Sequence, residues 1–231
     1  SGTYFNYAGG GAGGGAYASS TLSVTPGTNY TVIVGQGGGI ASDGGYSSFG
    51  SGPLVRAAGG SQGGNDPGEG GTEDNSIGDV KHAGGDGGSR YSSNGTGGGG
   101  GGSATPTSNG GNGGNGTYYN GGSGGTGQGN GGNGGNSNNP GGTGFTPGGG
   151  GGGRGYYGSS SGTGARGQVI ITWPDCVDPV ITTQPVASEI CTGKNTSFSV
   201  TATGTNLTYQ WQVNTGSAWT NITDGGVYSN A

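Results

Sequence analysis

The sequence predicts an all-β chain in two parts, and three observations predict it. Glycine supplies 69 of 231 residues, yet Gly193, Gly204, Gly216, Gly225 and Gly226 are the only glycines after Gln168. Such a composition step marks a domain boundary. Short β-branched and aromatic runs flank the glycine tracts, and period-two alternation of apolar and polar residues returns in the tail, while no stretch reads as a helix.

The first strands are expected over 20–58. Leu22 and Val24 form a short run, and Pro26-Gly27 suits a type II turn, in which the second central residue needs positive φ. Tyr30, Val32 and Val34 then alternate with Thr31 and Ile33. Two more short runs lie around Phe49 and around Leu54-Val55, each bounded by glycine clusters.

Asp66, Glu69, Glu73, Asp74, Asp79 and Asp86 gather between 61 and 90. Oxygen-rich loops can hold calcium, the one cofactor this stretch leaves open. The spacing from Asp66 to Asp86 matches neither an EF-hand loop nor the nonapeptide calcium repeat, so a solvated acidic loop is expected. His82 is the only histidine and has no cysteine beside it, which excludes a zinc site built on it.

From Tyr91 to Gly153 there is no Asp, Glu, Lys or Arg. A flexible linker would satisfy that composition. So would helices with three residues per turn and no internal hydrogen bonds. Where two of every three residues are glycine, such polyglycine II-type helices can lie side by side and exchange backbone hydrogen bonds, satisfying groups that one helix alone would leave orphaned. The segments 59–72, 84–102, 109–136 and 141–155 are enough for a bundle, within a glycine region of about 59–160. Asn109, Asn112 and Asn115 share a phase of three, as do Asn130, Asn133 and Asn136, so all six are expected on one face. Tyr118-Tyr119 breaks the beat and reads as a turn or tip. Val169, Ile170 and Ile171 form the strongest β run of the chain, a strand over 168–173 ended by Trp173-Pro174. It is expected to close the region against a sheet.

In the tail, Phe198 and Val200 alternate with Ser199 and Thr201. Leu207, Tyr209, Trp211 and Val213 alternate through "LTYQWQV". These read as two half-buried strands, with Trp211 placed like a core tryptophan. The domains are therefore a glycine-rich unit over 1–174, a linker over 175–179 and a β unit over 180–231.

Composition narrows the function. A net charge of -5 and a pI near 4.4 lack the basic footprint of a nucleic-acid binder. No apolar run has the length of a transmembrane helix, so no membrane insertion is expected. Neither a P-loop nor a dinucleotide fingerprint stands in its required context. One histidine and scattered carboxylates do not make a nucleophile, an acid/base pair or a metal centre, so the chain reads as non-enzymatic, with no catalytic residues. Cys176 and Cys191 suit an oxidising compartment. They could pair with each other, pair elsewhere or stay free.

"GGGAGGGAYASSTLSVTPGTNYTVIVGQGG", "GGYSSFGSGPLVRAAGG" and "GARGQVIITW" resemble the glycine-rich domain of large exported bacterial surface proteins, which is related to glycine-rich domains of phage tail fibres. The resemblance implies a small β-sandwich from which glycine-rich loops project, preceded by a further strand. The acidic insert from Asp66 to Asp86 has no place in it. "DPVITTQPVASEICTGKNTSFSVTATGTNLTYQWQV" resembles the immunoglobulin-like repeats of adhesins exported by type IX secretion, which implies a partial β-sandwich. The resemblance also implies that Cys191 holds the early cysteine position, with its partner expected beyond Ala231, and leaves Cys176 unassigned. A Cys176–Cys191 bond in a mass spectrum would overturn that expectation.

The resulting expectation is a structural and adhesive segment of an exported cell-surface protein, extracellular, meeting a surface, a glycan or another cell. Components of the secretion machinery are further possible partners. Tyr118, Tyr119, Tyr156 and Tyr157 are the expected contact residues, since rings stack on sugars and supply rigid contact area. Two alternatives compete: an ice-binding protein that uses the asparagine face, and the receptor-binding tip of a phage tail fibre.

Overall fold

The structure, a computed structural model, describes residues 7–229. The aromatic opening at Tyr4 and Phe5, and Ala231, lie outside the described residues. Contacts divide the chain into two units, one ending at Ile170 and the other beginning at Ile171. Among the described residues there is no helix, and every regular element is a short strand.

The first unit is organised around Gly97–Gly102. Each N–H of this run donates to a different carbonyl: Gly135, Gly9, Gly114, Gly132, Ala12 and Gly111 in turn. Each carbonyl accepts in turn from Gly122, Gly153, Gly88, Gly125, Gly150 and Gly85, and these bonds span 2.7 to 3.0 Å. The partners belong to the segments 8–16, 83–90, 109–116, 121–128, 130–136 and 148–155. Those segments also bond to one another in a closed ring: Gly11 to Gly88, Gly110 to Ala83, Gly111 to Thr126, Gly131 to Gly125, Gly132 to Gly150, and Gly9 to Arg154. Every contact advances by three residues, the period of an extended helix with three residues per turn.

This packing explains the run of glycines. A residue surrounded on all sides by backbone has no direction left for a Cβ. A Cβ built at Gly99 would fall on the Ser123 carbonyl, and one at Gly100 on the Gly150 carbonyl. The second unbroken run, Gly148–Gly153, has five segments around it: 8–16, 96–104, 130–136, 141–145 and 160–167. Where the chain reads Gly-Gly-X instead, the X residues Asn109, Asn112, Asn130 and Asn133 face solvent.

The strands continue the glycine pairing. Segment 8–16 runs into β1 (Tyr17–Ser19), which pairs with β5 (Val80–His82), and β5 runs into 83–90. Gly14 bonds to Gly85 and Tyr17 faces His82, so the register carries on unchanged from glycine segment to β ladder. β2 (Val32–Ile33), β3 (Ser47–Phe49) and β4 (Val55–Ala57) form an antiparallel three-stranded sheet, and Arg56 of β4 bridges to Ile77. Gly27 has φ 78°, as the type II turn requires.

Three expectations are corrected. The first strand lies at Tyr17–Ser19 and not at Leu22 and Val24, because its partner is fixed by the neighbouring glycine segments. That partner, Val80–His82, lies inside the stretch from Asp66 to Asp86 read as a solvated acidic loop. Residues 168–173 form no strand: Ile170 is 68% and Trp173 76% exposed. The backbone pairing stops just before them, with Gly167 N–H donating to the Gly35 carbonyl, and a β run without a neighbouring edge has nowhere to place its hydrogen bonds.

The second unit contains two ribbons. β6 (Val180–Thr183) pairs with β7 (Thr201–Thr203), and β8 (Gln212–Asn214) pairs with β9 (Trp219–Asn221). Phe198 and Val200 precede β7, and Trp211, half-buried, precedes β8.

Candidate functional site

The direction of each glycine segment decides which loops meet. Segments 8–16, 96–104 and 121–128 run one way, and 83–90, 109–116, 130–136 and 148–155 run the other, as the rising and falling partner numbers show. The strands β1, β4 and β5 adjoin one end. The loops 91–95, 117–120, 137–140 and 156–159 therefore all lie at the opposite end.

Hydrogen bonds knit that end together. Ala8 N–H donates to Ser93, Tyr156 to Gly95 and Tyr157 to Ser137. Thr96, fully buried at 0% exposure, donates its hydroxyl to the Thr117 carbonyl at 2.6 Å. Arg90 donates to the Ala8 carbonyl and to Asn65 Oδ1, and Arg154 Nε donates to the Tyr7 carbonyl. These contacts hold the loop bases in place and leave the loop side chains outward.

Those side chains are aromatic. Tyr118, Tyr119 and Tyr157 are exposed, Tyr119 at 77%, and Tyr156 is half-buried. Tyr91, Tyr118 and Tyr119 form a chain of edge-to-face rings, with centroids 5.8 and 4.6 Å apart. Tyr156 and Tyr157 form a second pair at 4.4 Å. Aromatic rings prefer this geometry, and it presents rigid ring surface at little entropic cost. The structure thus gathers the four expected tyrosines at one end and adds Tyr91 and Tyr7. The signal for these two was positional: each directly borders the end of a glycine segment, as Tyr156 does.

The asparagines do not form one face. The chain reverses at Tyr118 and again near Gln128, so the two sets lie on separate segments. Asn109, Asn112 and Asn115 accept from the N–H groups of Ala83, Asp86 and Ser89. Asn130, Asn133 and Asn136 accept from Gly127, Gly124 and Gly121.

Residues 1–174 match a family described as a glycine-rich domain. The chain belongs to that family. No curated protein and no solved structure matches it. Within the glycine-rich domain the acidic residues from Asp66 to Asp86 are spread over several segments. Asp86 Oδ1 accepts from Gly70 N–H at 2.9 Å. Among the described residues no group of three His, Cys, Asp or Glu side chains could hold a metal ion, and no helix is long and apolar enough to cross a membrane. Cys176 and Cys191, beyond the domain, are exposed and unbonded to each other.

Proposed function

We propose that the chain is a non-enzymatic structural and adhesive segment of a large exported bacterial cell-surface protein. The glycine segments act as a polyglycine II-type bundle, a rigid post; the three-residue beat of their hydrogen bonds supports that helix type. The observation that carries the reading is the set of tyrosine-bearing loops gathered at the end away from the strands. Exposed rings on a fixed base suit stacking on sugars or packing on another cell's surface protein. The acidic balance and the resemblance of the tail to immunoglobulin-like repeats support an extracellular attachment role, with no nucleic-acid partner.

The test is adhesion of the chain to immobilised glycans and to bacterial cells. The variant Y118A/Y119A/Y156A/Y157A is expected to bind at least about tenfold more weakly, the size of one lost aromatic anchor, with unchanged thermal unfolding. Equal binding by the variant would refute the role of this end.

A further inference from the structure

The two asparagine ladders point to a surface that the bundle keeps covered. Segment 83–90 has three faces. Gly84 and Gly87 donate to Gly71 and Gly68 on one side, and Gly85 and Gly88 donate to Gly102 and Gly99 on the second. The third row of donors, the N–H groups of Ala83, Asp86 and Ser89, meets no backbone carbonyl, while the carbonyls of the same three residues accept from Gly110, Gly113 and Gly116. Its acceptors are the Oδ1 atoms of Asn109, Asn112 and Asn115 at 3.1, 2.9 and 2.8 Å. Segment 121–128 repeats the device. Gly122 and Gly125 donate to backbone carbonyls of the central run, and the outward N–H groups of Gly121, Gly124 and Gly127 donate to Asn136, Asn133 and Asn130 at 2.8, 2.8 and 3.0 Å. The first ladder joins parallel segments and the second antiparallel ones, so the arrangement follows from the three-residue spacing and not from one local turn.

A row of backbone donors at fixed spacing is the glycine-lattice counterpart of an open β-sheet edge, which recruits further chains unless it is blocked. Within this bundle the partner of such a row is a glycine segment with carbonyls at the same spacing. We infer that the donor rows at Ala83/Asp86/Ser89 and Gly121/Gly124/Gly127 are latent self-association surfaces. The partner they fit is a glycine segment of a second copy of this chain, and the six exposed asparagines hold them closed. Asparagine suits the task because its side chain reaches the neighbouring N–H and supplies an oxygen acceptor.

The test compares the chain with N109A/N112A/N115A and with N109D/N112D/N115D by light scattering over a concentration series, with amide exchange read on the same samples. The alanine variant is expected to associate at least about tenfold lower in concentration than the unchanged chain and, below the concentration at which it associates, to lose protection at Ala83, Asp86 and Ser89. The aspartate variant keeps an acceptor and is expected to follow the unchanged chain. An alanine variant that keeps Gly97–Gly102 protected and associates no more than the unchanged chain overturns the inference. Should the triple change unfold the bundle, the single N112A is read instead: increased association supports the inference and an unchanged mass overturns it.

Discussion

The glycine-rich unit and the unit beyond Ile171 solve the same problem with opposite means. In the first, the buried hydrophobic side chains among the described residues are Ala8 and Ala104. Order comes from backbone groups that are paired on every side, shielded from water where hydrogen bonds gain strength. In the second, Ile181, Ile190, Phe198 and Tyr209 supply apolar side chains, yet no described residue there is buried. Its ribbons β6–β7 and β8–β9 each have two strands, fewer than an independently stable sheet needs. A chain with few apolar residues can be fully packed, whereas apolar strands without a covering layer remain unpacked. What matters in both is whether each group's partner is present.

The comparison breaks most sharply at the centre of the bundle. Gly99→Ala places a methyl on the Ser123 carbonyl, with backbone on every other side. It is expected to cost more than about 4 kcal/mol, enough to abolish the folded signal in urea unfolding of the glycine-rich unit. Next in size is Thr96→Val, which removes the hydroxyl from the Thr117 carbonyl. Leaving that acceptor without its donor is expected to cost about 1–3 kcal/mol, read from the same unfolding curves. Phe198→Ala in the second unit should change stability by less than about 1 kcal/mol, since the ring is already half exposed. Gly64→Ala is the internal control: nothing lies within 4 Å of the added methyl, and the change is expected within about 0.5 kcal/mol. Calorimetry sharpens the contrast further. With almost no apolar core, the glycine-rich unit should unfold with a heat-capacity change below the usual ~12–15 cal/mol/K per residue.

The sequence showed some of this and hid the rest for identifiable reasons. The beat of three, the uncharged stretch from Tyr91 to Gly153 and the turn at Tyr118-Tyr119 are local features, and they were readable. The meaning of Gly97–Gly102 was not, because the number of neighbours around a segment is set by segments distant in the chain. The same limit hid β5: Val80–His82 carries little β signal and becomes a strand because 83–90 is already aligned with 8–16. At Val169–Ile171 the error ran the other way, since strong β propensity gives no strand where no edge is offered. Segment direction, which brings Tyr7 and Tyr91 beside the expected tyrosines, depends on counting every reversal of the chain. The asparagines were read correctly as periodic but wrongly as one face, because two reversals separate the sets.

The central claim is that the glycines are packed and that Gly97–Gly102 is the middle of the packing. Amide hydrogen exchange across 91–160, resolved to single residues, tests it most directly. The account predicts exchange at Gly97–Gly102 orders of magnitude slower than in an unstructured glycine chain, with faster exchange in the loops at Tyr118-Tyr119 and Tyr156-Tyr157. Complete exchange of Gly97–Gly102 within seconds would contradict it and make the glycine tract a linker.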